Sequence, residues 1–294
     1  MRAISVCISI CIASTVAGAD PDYGPVKKLF ESDNYSATWG TTPTYASDAE
    51  LEIGTGNGHG GTLGWMRFKP GKDGVDVLDV KFDEGWHPYK SKHPPDKAPV
   101  TVKAARFSSD GYTALLKNLA VVDAAILTPR ETDRGHSTSD FWVSARLTVG
   151  KKMPFDLDWA GYWASKSEVD FAKPNAAVKL TKKAVEKLDF KDHKLTDADR
   201  AWASAKFVND WKKYKNLSGY SWVCGRYIET IGVVGDSAAL PTLREILTEN
   251  KGGEYYAINA VTRLTGKDVR DKPVEEMDIE KVRPKVLELL KEKK

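Results

Sequence analysis

The sequence predicts an α+β fold: a β-rich, sandwich-like N-terminal domain carrying at least one helix, followed by a short stack of helix pairs. Three observations predict it. Apolar runs with strand-like alternation dominate residues 35–170. Apolar positions three and four apart dominate the chain after Pro174. In the last quarter one helical pattern occurs twice: Pro241, Leu243, Ile246 and Leu247 recur 43 residues later as Pro284, Val286, Leu289 and Leu290.

The first 19 residues read as an export signal. Arg2 supplies the positive start, Ile4 to Val16 an apolar run, and Ala17-Gly18-Ala19 a small-residue cleavage site. The run is about 13 residues, too short for a helix to cross a hydrocarbon core of roughly 30 Å. The expected location is therefore outside the cytoplasm, periplasmic or extracellular, with no membrane span. Cleavage after Ala19 removes Cys7 and Cys11 and leaves Cys224, so the mature chain forms no internal disulfide. Cys224 falls on an apolar helical face and reads as a packed thiol. A formal net charge of +3, with acids and bases interspersed, offers no basic stripe for nucleic acid.

Residues 20–172 form the β-rich domain of this reading. Thr62 to Phe68 and Val75 to Phe82 flank Lys69-Pro70-Gly71-Lys72-Asp73-Gly74, which predicts a β-hairpin. In its second strand Val75 and Val77 hold one parity, and Leu78, Val80 and Phe82 the other. Such a switch requires either a bulge or a strand buried on both faces. Val100 to Phe107, Ser139 to Val149 and Met153 to Trp163 are further strands. Ser108 or Ser109 caps a helix with the stripe Leu115, Leu116, Leu119 and Val122.

Residues 173–217 read as a helical linking region. Pro174 opens one helix, with Ala177, Leu180, Ala184 and Leu188 on one face. Thr196 and Asp199 form a capping-box-like start for a second, with the stripe Ala198, Ala201, Trp202, Ala205, Val208 and Trp211.

Residues 218–294 hold the repeat. Trp222, Val223, Cys224, Tyr227, Ile228 and Ile231 align with Tyr255, Tyr256, Ala257, Ala260, Val261 and Leu264 at an offset of 33. Asp236 caps the helix that Pro241 enters, and Gly266 ends the helix that Leu264 closes. The run Gly235-Asp236, Ala239-Leu240-Pro241-x-Leu243, Ile246-Leu247 and Ala257-Ile258-x-Ala260-Val261-x-x-Leu264 resembles HEAT repeats, in particular the short bacterial HEAT-like kind. The resemblance implies an α-solenoid that stacks helix pairs and offers a face to partner proteins. Roughly three repeats are needed for an independent solenoid, so this tail must pack on the helices before it or on the β-rich domain.

Several residues invite chemistry. Gly54 to Gly61 is glycine-rich, yet no lysine followed by Ser or Thr and a helix completes a phosphate loop, so it reads as a strand connection. His59, His87 and His93 lack the spacing of a zinc site, and no HExxH or paired CxxC occurs. No metal and no cofactor are expected. Asp73, Asp76, Asp79 and Asp83 lack the spacing of a calcium loop. Asp133 to Asp140 gathers a histidine, hydroxyls and carboxylates, and His136 is the first candidate for acid–base work should the chain be an enzyme. Nine tryptophans is a high count, and Trp86, with His87 and Tyr89, is the candidate for exposed ligand contact. The functional expectation is an exported, non-catalytic binding or scaffold protein acting through protein contacts of its tail. The alternative is a carbohydrate-binding or carbohydrate-processing protein using the Trp-rich domain.

Overall fold

The hairpin forms as its turn residues dictate. In the computed structural model, strands β3 (Gly64–Gly71) and β4 (Gly74–Phe82) pair antiparallel from Gly71 opposite Gly74. Gly74 has φ +124°, and a Cβ there would lie 2.8 Å from the Phe107 carbonyl oxygen, so only glycine fits. The structure describes residues 24–32, 35–57, 64–82, 100–129, 141–149, 152–160, 168–215, 221–249, 253–270 and 276–291.

Around the hairpin the chain builds a seven-stranded antiparallel sheet in the order β8-β7-β2-β3-β4-β5-β9. The added strands are β2 (Glu50–Asn57), β5 (Val100–Phe107), β7 (Phe141–Val149), β8 (Lys152–Ala160) and the short β9 (Lys191–Asp192). A separate two-stranded ribbon pairs β1 (Tyr35–Trp39) with β6 (Ala125–Pro129). The α+β class stands. The sandwich-like packing expected from the sequence takes another form, because helices cover both faces of the large sheet.

The parity switch in β4 is explained by these two layers. The register through β4 is continuous with both neighbours, so no bulge is present. Val75 and Val77 belong to one core, with Leu51, Ile53 and Phe68 from the sheet. That core is closed by α1 (Gly24–Ser32), α2 (Ser109–Ala124) and α3 (Glu168–Val185). Leu78, Val80 and Phe82 belong to the opposite core, with Trp65 and the later helices. Those helices are α4 (Asp197–Tyr214), α5 (Ser221–Val234), α6 (Leu240–Glu249), α7 (Glu254–Thr265) and α8 (Ile279–Lys291).

Local signals set several helix ends. Ser108 caps α2, its hydroxyl accepting from the Gly111 N–H. Thr196 and Asp199 complete a reciprocal capping box at α4. Asp236 caps a 3-10 turn, Ser237–Ala239, that runs into α6. Gly266 ends α7 in the left-handed region. Thr196→Ala should cost about 1 kcal/mol, read as a shift in the denaturation midpoint.

Three readings of the sequence need revision. β2 runs through Gly54 to Asn57, where the glycines suggested a connection. Pairing with β3 as far as Thr55 and with β7 as far as Asn57 holds it extended against the low strand propensity of glycine. α3 begins at Glu168, and Pro174 lies inside it, not at its start. Packing on α1, α2 and the sheet offsets an interior-proline cost of about 3 kcal/mol. In α4 the buried side chains are Ala203, Ser204, Phe207, Asp210 and Trp211, while Ala198, Ala201 and Ala205 are exposed. The face is rotated because Ser204 and Asp210 are buried with partners: Ser204 Oγ accepts from the Asp236 N–H at 2.8 Å, and Asp210 pairs with Lys206.

The elements α3, β9 and α4 serve the sheet directly. α3 closes one face, β9 adds an edge, and α4 lies on the other face. Lys206 Nζ sits 2.6 Å from Glu52 on β2 and 2.8 Å from Asp210. Arg67 forks onto Glu50 and stacks 4.3 Å over Trp202. Phe207 reaches Trp65 on the sheet side and Tyr227 on the α5 side, tying the tail to the sheet in one core. Within the tail α5 packs on α7 and α6 on α8.

Candidate functional site

The sheet face under α3 changes character along its length. β3 runs Phe68, Met66, Gly64 on this face; β4 runs Val75, Val77, Asp79, Lys81. Each series begins apolar and ends small or polar. Core-filling side chains therefore give out toward one end, and a cleft of about 500 Å³ opens there between the sheet and the C-terminal end of α3.

Ile53, Met66, Val185 and Phe190 give the cleft apolar walls. Its charged groups are Asp79 and Lys81 from β4, Lys182 from the last turn of α3 and Glu186 from the turn that follows. Asp79 stands opposite Met66 on one side and Lys103 on the other. Its side chain is 10% exposed and lies 2.9 Å from the Lys81 ammonium, whose side chain is 65% exposed. Thr181, also lining the cleft, donates its hydroxyl to the Ala177 carbonyl at 2.8 Å within its helix. The turn after α3 is held by Leu188 N–H to Val185 and Phe190 N–H to Leu188, and beyond it the His193 N–H bonds Val102 on β5. These bonds anchor Phe190 at the sheet. A buried carboxylate, flanking lysines and apolar walls make a site that can grip a small amphipathic molecule.

A second concentration of charge lies between α5 and α7. Glu229 of α5 is fully buried against α7. Arg263 Nη2 stands 3.3 Å from it, and Arg270 Nη1 donates to the neighbouring Asn259 Oδ1 at 2.6 Å. Arg270 in turn grips Asp268 with two nitrogens, at 2.8 and 2.7 Å. Burial pushes the Glu229 carboxyl up to about 7, against the opposing pull of Arg263, Arg270 and Asn259.

The residues singled out in the sequence fall differently. Trp86, His87, Tyr89, His93, His59 and His136 lie outside the described residues. The strand ends that flank their segments, Asn57, Gly64, Phe82, Val100 and Phe141, fall at one end of the sheet, the end at which Gly64 and Phe82 line the cleft. Asp79 is the site residue that sequence reasoning passed over. Its signal was present: it shares the parity of Val75 and Val77, so a carboxylate occupies an otherwise apolar strand face. Trp65 and Trp211 are core residues, as strand and helix positions suggested. Among the described residues, no group of three or more His, Cys, Asp or Glu could hold a metal, and no helix is long and apolar enough to cross a membrane.

No family model, curated protein or solved structure matches this chain.

Proposed function

We propose that this chain is an exported binding protein without catalysis, and that its ligand occupies the cleft between α3 and the sheet. The observation that carries this reading is a largely buried carboxylate, Asp79, set among Ile53, Met66, Val185 and Phe190 in a cleft of small-molecule size. Polar groups so placed orient a ligand, and apolar walls supply the affinity. The test is the fluorescence of the dye 1-anilinonaphthalene-8-sulfonate with the mature chain. Val185→Trp, which fills the cleft from its wall, should reduce dye binding at least fivefold. Glu186→Trp does the same from the exposed rim and guards against misfolding at position 185. Dye binding indifferent to both substitutions would refute the site.

A second reading assigns a protein partner to the HEAT-like tail. Its support is the outer surface of α8, where Glu280, Lys281, Lys285, Glu288 and Lys291 are exposed on helices that share a core with the sheet. Charged rims of this kind select partners and speed encounter. The expected result for that reading is binding to a cell-envelope fraction that disappears when the fraction is treated with protease. Binding that survives protease would favour a polysaccharide. Of the tryptophans in the β-rich domain and α4, Trp65 and Trp211 are buried, Trp202 lies under Arg67, and Trp39 packs on Phe30.

A further inference from the structure

From the charges around the cleft we infer that its ligand is a small amphipathic zwitterion, an apolar body bearing one ammonium and one carboxylate. The inference rests on the cleft being the binding site and adds the class of ligand.

Asp79 is the most deeply buried charge in the cleft, its side chain 10% exposed. A carboxylate already withdrawn from water forms a stronger charge-assisted hydrogen bond with an arriving ammonium than a solvated one does. Its present partner is the ammonium of Lys81, a side chain that is 65% exposed. That long stem can turn to solvent when a ligand amine takes its place. Across the cleft, Lys182 stands in the last turn of α3, where the helix end favours a cation. It supplies a partner for a carboxylate. Glu186 follows in the turn after α3 and balances it.

The four groups carry two charges of each sign. A ligand with only an ammonium leaves Lys182 without gain, and one with only a carboxylate leaves Asp79 as it was. A molecule carrying both engages each end while its body meets Ile53, Met66 and Phe190. A volume of about 500 Å³ suits an amino acid or a dipeptide with a large apolar side chain.

The experiment is calorimetric titration of the mature chain with phenylalanine, phenethylamine and 3-phenylpropionate. Phenylalanine should bind at least tenfold more tightly than either analogue. Lys182→Ala, at an exposed helix position, should weaken phenylalanine and 3-phenylpropionate and leave phenethylamine within twofold. Equal binding of all three compounds would overturn the zwitterion and leave the cleft standing. So would the failure of all three to bind while the dye still responds to Val185→Trp or Glu186→Trp. A dye indifferent to both substitutions removes the cleft itself.

Discussion

The folded chain should lose stability as pH rises from about 5 to about 8, and Glu229→Gln should abolish most of that loss. Glu229 is raised from its ordinary 4.5 to about 7 by burial, the dominant cause, with Arg263, Arg270 and Asn259 pulling it down. A group raised on folding binds its proton more tightly in the native state. Its contribution is complete below about 4.5, declines as pH rises, and is gone above about 7. The loss across that window is about 3 kcal/mol. Opposing groups titrate lower. Asp199 is lowered by its hydrogen bonds with Thr196 and His193, which outweigh its burial, and Asp268 chiefly by its hydrogen bond to Arg270. Their contributions are present above the ordinary carboxylate range and vanish only in acid, so they do not mask the slope.

The check is urea denaturation at pH 5, 6, 7 and 8. The parent chain should show a falling midpoint, and Glu229→Gln a nearly level one. Gln keeps the shape and removes the charge, so it should equal or exceed the parent at pH 8. Glu229→Ala should be worse than the parent at every pH, because unlike Gln it leaves a void and no side-chain acceptor facing Arg263. A parent midpoint that is flat or rises with pH would contradict the account of Glu229.

The second large effect lies in the same helix pair. Gly232→Ala should destabilise the chain by about 3 kcal/mol, the upper end for overpacking, and lower its melting temperature by roughly 5 to 10 °C. A Cβ at Gly232 would stand 2.5 Å from the Ala260 Cα and 2.9 Å from its Cβ, and at Gly225 it would stand 2.0 Å from the Tyr256 ring. Backbone meets backbone at Gly232, so no rotamer change relieves the contact and α5 must move off α7. The movement would lengthen the Glu229–Arg263 approach as well. Gly266→Ala is the control: φ is +67° but nothing lies within 4 Å, so only backbone strain of about 1 kcal/mol is expected. Equal losses at the two positions would show that the α5–α7 approach is looser than the distances indicate.

The cleft shows how far a single sequence reaches. Strands β3 and β4 each contribute a short apolar-to-polar gradient that can be read along that strand alone. Their convergence cannot be read, because it depends on β2 lying between β3 and β7 and on α3 crossing the sheet. Asp79 looked like one of several acidic residues in or beside a strand. It became a site residue only when its parity was joined to the burial of Val75 and Val77 on the same face.

By itself the sequence determined a β-hairpin turning within Lys69 to Gly74, the strand Val100–Phe107, a cap at Ser108 or Ser109, and the caps at Thr196, Asp236 and Gly266. It also determined the α+β class and the two-sided burial or bulge of β4. These features rest on interactions within a few residues, or on one segment's periodicity, so the signal and its cause lie together in the chain. Tertiary structure decided the rest: that β4 is buried on both faces, that β2 stays extended through Gly54 to Asn57, that α3 runs through Pro174, and that α4 buries Ser204 and Asp210. In each case a distant partner offsets a local preference. A glycine stays extended because neighbouring strands hold it, and a polar side chain goes inside because a remote donor or cation meets it there.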